Sequence, residues 1–162
     1  MFAICAIAIL SGCGAASGVM KRKTQIDASI VAAADVNPNR ASRPSPLSLY
    51  IYELKGATSF NRAGYFTLVS PEPGVLAGDV LNVTRLTIKP GETKALAVQA
   101  KDGASHIGVV AAFQRESGAV WRGVYELQPG KKNAVLISAE GARISIEAAK
   151  KKSPLARFKG DG

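Results

Sequence analysis

Polar and apolar residues alternate through much of this chain. Ile26, Ala28, Ile30, Ala32, Ala34 and Val36 recur at every second position, with Asp27, Ser29 and Asp35 between them. A period of two sends successive side chains to opposite faces of a strand. One long half-buried strand is therefore expected over 26–36. A second is expected over 47–54, with Leu49 and Ile51 on one face and Tyr50 and Tyr52 on the other. Further strands are expected over 83–88, 95–100, 107–114, 119–127, 133–138 and 142–148. Turn-forming pairs separate them, among them Pro90-Gly91, Asp102-Gly103 and Pro129-Gly130. The run 107–114 is nearly all apolar, which suits a central strand buried on both faces. About eight short strands joined by turns make an all-β chain, and a two-sheet sandwich fits better than a closed barrel. Two stretches break the alternation. Over 57–69, Phe60, Gly64, Phe66 and Leu68 can line one or two helical turns. Residues 37–46 carry three Pro and two Arg and read as an exposed loop.

The first residues follow a different pattern. Phe2 to Leu10 is an apolar run, far too short for the ~20 residues of a spanning helix. It fits the apolar core of a secretory signal peptide. The positive flank expected before it is missing, which implies a precursor that starts further upstream or a misassigned start codon. The run ends in Leu10-Ser11-Gly12-Cys13, which resembles the lipobox of bacterial lipoproteins. In that chemistry the thiol of Cys13 takes a diacylglyceryl thioether, and cleavage before it frees an amine for another acyl chain. Two or more chains anchor a protein stably where one is marginal. Gly14, not Asp, follows Cys13, which favours the outer membrane. The expected organisation is a cleaved signal peptide over 1–12, a lipidated Cys and tether over 13–24, a sandwich over 25–149 and a basic tail over 150–162.

Composition narrows the chemistry. The 162 residues hold 21 Lys and Arg against 12 acids, a formal charge of +9, with two Cys and one His. One His excludes a two-His zinc motif. Cys5 leaves with the signal and Cys13 is acylated, so neither bridge nor thiol chemistry is expected. His106 opens an apolar strand without a nucleophile motif beside it, and a structural or surface role is expected. The acids are scattered, and no phosphate-binding loop occurs. Basic residues are not interleaved with aromatics, so a nucleic-acid partner is not expected. Lys21-Arg22-Lys23 reads as a solvated stem, with anionic headgroup contact as the sharper alternative.

Several stretches resemble one family in order and spacing. They are Ala34-Asp35-Val36-Asn37-Pro38, then Arg43-Pro44-Ser45-Pro46, then Leu49-Tyr50-Ile51-Tyr52-Glu53-Leu54. Phe60 with Tyr65-Phe66-Thr67-Leu68 follows, then 86–91, and Ile107-Gly108-Val109-Val110-Ala111-Ala112-Phe113 with Trp121-Arg122. Together these resemble the TssJ family, outer-membrane lipoproteins of the type VI secretion system. The resemblance implies a transthyretin-like two-sheet β-sandwich of about eight strands with a short helical insert. It implies a structural role without catalysis, cofactor, metal or small-molecule substrate. The acyl anchor would hold the domain at the inner leaflet of the outer membrane, facing the periplasm. The implied partner is the periplasmic C-terminal region of TssM, which works with TssL.

The resemblance implies that the loop between the first two strands, taken as a segment, is a main TssM contact. Here that loop is Asn37, Pro38, Asn39, Arg40, Ala41, Ser42, Arg43, Pro44, Ser45 and Pro46. Its prolines lower the entropy cost of docking, and Arg40 and Arg43 can grip carboxylates. Without the resemblance, an ordinary solvated hairpin loop would be the simpler reading. Trp121 is expected to pack with Tyr125 and Leu127, and Arg122 to pair with an acid such as Glu126. The competing functional classes are a small-ligand carrier, which needs a sizeable apolar pocket, and an enzyme built on His106.

Overall fold

The computed structural model describes residues 22–70, 76 and 78–150. The expected signal peptide, Cys13, residues 14–21 of the tether and residues 151–162 of the tail lie outside them. Eight strands form: β1 (Gln25–Ala32), β2 (Leu47–Leu54), β3 (Val80–Ile88), β4 (Thr93–Gln99), β5 (His106–Ala112), β6 (Arg122–Glu126), β7 (Lys132–Glu140) and β8 (Arg143–Ala148). Two short helices, α1 (Thr58–Arg62) and α2 (Tyr65–Val69), sit between β2 and β3. The strands make two four-stranded sheets, ordered β4-β1-β7-β8 and β3-β2-β5-β6. Strands β1 and β7 run parallel, and the other paired strands within the sheets run antiparallel.

Alternation explains the layers. Ile26, Ala28 and Ile30 of β1, with Val135 and Ile137 of β7, face Leu49 and Ile51 of β2 and Ile107 and Val109 of β5 across the inner core. The opposite faces of β2 and β5 are apolar as well. Tyr50, Tyr52, Leu54 and Val110 there form a second cluster with Phe60 and Leu68 of the helices. The helical insert thus covers the outer face of one sheet, and β5 is buried on both sides as its composition suggests. Among the described residues, the buried ones fall between Ile26 and Ile144.

Gly108 marks where the insert docks. A Cβ placed there would lie 2.6 Å from Cζ of Phe60. The missing side chain lets the Phe60 ring lie on the strand, edge-on to Tyr52 at 5.3 Å between centroids. The Tyr52 hydroxyl donates to the Leu68 carbonyl and so pins the second helix.

Several expectations need correction. The first strand ends at Ala32, not Val36. Ala33–Val36 turns instead, with the Val36 amide donating to the Ala33 carbonyl at 3.2 Å. Alanine has little preference for strands, so its alternation there carried weak information. Phe66 does not join Phe60 and Leu68 in the core; it is 75% exposed. The strand expected over 119–127 starts only at Arg122. Before it, Val120 donates to the Ala142 carbonyl and accepts from the Ile144 amide, crossing to the other sheet.

Candidate partner-binding loop

The register gives the sandwich two poles. Chain entry at β1, the 100–105 and 127–131 loops and chain exit after β8 lie at one. The 33–46, 89–92 and 113–121 loops and the β7–β8 turn lie at the other. An eight-residue strand such as β1 separates the poles by about 26 Å. The loop singled out from sequence therefore stands at the pole opposite the entry to β1 and the exit from β8.

That loop is built from its two asparagines. Asn37 is buried, not exposed, and has a left-handed backbone with φ +51°. Asparagine tolerates that region better than other residues with a side chain, glycine aside. Its Nδ2 donates to the Pro46 carbonyl at 2.7 Å, and its Oδ1 accepts from the Gln114 amide at 2.9 Å. Its own amide donates to the Gly141 carbonyl at 2.7 Å. One residue thus closes the loop and ties it to two neighbouring turns. Asn39 shapes the tip: its Oδ1 accepts from the amides of Ala41 and Arg43 at 2.9 and 3.0 Å.

These bonds hold the loop in one shape and turn only part of it outward. Arg40, Ala41, Ser42, Arg43, Pro44 and Pro46 are exposed, whereas Pro38, Asn39 and Ser45 are half-buried. Arg40 shares a shallow depression of about 360 Å³ with Asn39, Ala41, Gln114 and Arg115. A neighbouring one of about 180 Å³ runs past Asn37, Phe113 and Arg115. Arg115 is a member the sequence did not suggest. It lies far along the chain, and β2·β5 pairing, with Ser48 opposite Ala112, brings it beside the loop. Tyr65 supports the segment from below, donating to the Phe113 carbonyl at 3.2 Å while its ring meets Trp121 edge-on. Burial raises the Tyr65 pKa, with Glu116 and then Tyr50 adding to it.

Other sequence candidates take structural parts. Arg122 does not pair with Glu126. Its Nη1 donates to the carbonyls of Phe60 and Ala63 at 3.3 and 2.9 Å, and its guanidinium lies 4.8 Å from the centre of the Trp121 ring. It fastens the helical insert at the C-terminal carbonyls of α1. His106 Nδ1 lies 2.7 Å from Ser105 Oγ, and that hydroxyl also bonds the Lys55 carbonyl. The depressions described here open to solvent and mix polar, charged and apolar residues in their linings, unlike the enclosed apolar site a carried ligand needs. Among the described residues no group of His, Cys, Asp and Glu could hold a metal ion, and no helix is long and apolar enough to cross a membrane.

Comparison with known proteins places this geometry. The fold matches the type VI secretion lipoprotein TssJ1 of Pseudomonas aeruginosa with a TM-score of 0.76 and 29% identity, covering 80% of this chain and 98% of that one. A chain from a type VI membrane complex matches at 0.66 with 26% identity, over 80% and 100% of the two chains. A chain in a structure described as the TssM C-terminal domain of the type VI system of EAEC shares the fold at 0.64, with 24% identity over 78% and 99%. A search of curated proteins gives no match. A family model described as type VI secretion lipoprotein, VasD, EvfM, TssJ matches residues 24–142. The chain therefore belongs to the type VI secretion lipoprotein (SciN/TssJ) family, whose members are structural lipoproteins and not enzymes.

Proposed function

We propose that this lipoprotein anchors the trans-envelope assembly of a type VI secretion system from the outer membrane. Acylated Cys13 holds the chain in the inner leaflet, with the sandwich facing the periplasm. The 37–46 loop binds the periplasmic C-terminal region of TssM, which partners TssL. The observation that carries this reading is the polarity of the fold. The chain enters at one end, and a preformed loop displaying Arg40 and Arg43 stands at the other. A loop already held by Asn37 and Asn39 loses little freedom on docking.

Two experiments test the two halves. Cys13→Ser should remove the protein from the outer-membrane fraction while the domain still folds; unchanged fractionation would sink the anchor. Arg40→Glu with Arg43→Glu, in a chain starting at residue 14, should weaken binding to the TssM region at least tenfold, or about 1.4 kcal/mol. Unaltered affinity at an unaltered melting temperature would move the interface elsewhere.

A further inference from the structure

The net charge is not spread through the fold. Residues 21–23 contribute +3, and residues 150–162, with five cations and one acid, contribute +4 of the total +9. The whole of 24–149 carries only +2. Strands β1 and β8 flank β7, and Gln25 lies opposite Lys132 while Ala148 lies opposite Val135. Both ends of the domain thus leave the same pole, about two strand spacings or ~10 Å apart.

The pole itself continues the charge. The Thr24 hydroxyl accepts from the Gly130 amide at 2.8 Å, and its carbonyl from the Ala100 amide at 2.9 Å, which seats the incoming chain between two loops. Arg22, Lys23 and Lys101 line the resulting depression of about 490 Å³, with Asp102 among them. Lys23 pairs with Asp102 at 3.5 Å, and Lys132 pairs with Asp27. Arg22, Lys101, Lys131 and Lys150 form no ion pair with another described residue. Among the described residues, Glu126 is exposed and Asp79 half-buried toward this end, and Glu147 is exposed further up β8.

We propose that this pole is a docking surface for anionic lipid headgroups. The inference deepens the anchoring reading: the lipid would hold the chain, and the basic pole would set the domain's face to the leaflet. Cys13 lies nine residues before Arg22, so an acylated chain carries this pole toward the bilayer first. Headgroup attraction falls off within a Debye length of about 8 Å, whereas the Arg40 pole stands ~26 Å away and takes no part.

The test uses chain 14–162, which keeps the core and lacks any acyl group. Co-sedimentation is measured with vesicles of phosphatidylethanolamine and phosphatidylglycerol, and with vesicles of phosphatidylcholine alone. Binding to the anionic vesicles is expected at 0.1 M salt and its loss at 0.5 M. Lys21→Gln, Arg22→Gln and Lys23→Gln together, or Lys150→Gln, Lys151→Gln and Lys152→Gln together, should weaken it by about fivefold per cation removed. Arg40→Gln with Arg43→Gln should leave it unchanged. Equal binding to both vesicle types, insensitivity to the terminal substitutions, or an equal loss from the Arg40 and Arg43 pair would each overturn the proposal. Because no acyl chain is present, failure here is distinct from failure of the Cys13 anchor, which fractionation reads.

Discussion

Replacing Asn37 by Ala should damage the domain more than any other change in its exposed loops. The substitution strips two hydrogen bonds from a side chain that is 2% exposed. It leaves the Gln114 amide and the Pro46 carbonyl without those partners in a half-buried place, which costs about 1–2 kcal/mol each. Alanine must also hold the left-handed backbone at φ +51°, adding about 1 kcal/mol. The expected loss is about 3–5 kcal/mol. Asn37→Gly relieves the backbone but not the bonds, so it should recover about 1 kcal/mol of that. Urea unfolding of chain 14–162 measures both. With a slope of about 2 kcal/mol per molar, the midpoint for Asn37→Ala should fall by roughly 2 M. Losses below 1 kcal/mol for both variants would mean that Asn37 does not hold the loop.

Three further outcomes follow from the packing. Gly108→Ala forces a methyl against the Phe60 ring and should cost about 1–3 kcal/mol, much of it restored by adding Phe60→Leu; no loss in thermal unfolding would contradict the close approach. Arg122→Gln removes charge-assisted bonds to Phe60 and Ala63 and should lower stability by about 2–3 kcal/mol while changing Trp121 fluorescence. Burial, with Tyr50 adding and Arg85 opposing, pushes the Tyr52 pKa up to about 12 from 10.0. The unfolded chain therefore loses this proton first, so the stability it contributes is full below pH 10 and declines as pH rises toward 12. Tyr52→Phe should make that alkaline decline shallower, and an unchanged pH profile would count against it.

Much of the fold was legible because strands and turns carry local signals. Gly91 and Gly103 sit at φ +74° and +87°, where turns at the ends of alternating runs call for glycine. The two-faced burial of β2 and β5 follows from Tyr50 and Tyr52 standing opposite Leu49 and Ile51. What escaped depends on pairing between distant segments. No local pattern says that β1 lies parallel to β7, or that Arg115 reaches the loop at Arg40. Gly108 reads as a weak strand residue until Phe60 is seen above it. The loop at 37–46 was legible as a place but not as a structure. Its first asparagine works inward, and its display is confined to the residues that Asn37 and Asn39 leave outside.

Separating the poles has a mechanical consequence under the proposed anchoring. From Cys13 to Thr24 the chain can extend by at most ~40 Å. Adding ~26 Å of sandwich puts the Arg40 loop no more than about 65 Å from the leaflet. If the basic pole rests on headgroups, the loop instead stands near the height of the sandwich alone, roughly 30 Å. Headgroup contact would then convert a wide range of heights into one and present the loop normal to the membrane. Neutralising 21–23 would restore the range without touching the loop. Affinity for the TssM region in solution should stay the same, while the salt dependence of its capture by acylated protein on anionic vesicles should move toward that seen in solution. A drop in solution affinity from those three substitutions would show that the two poles are not independent.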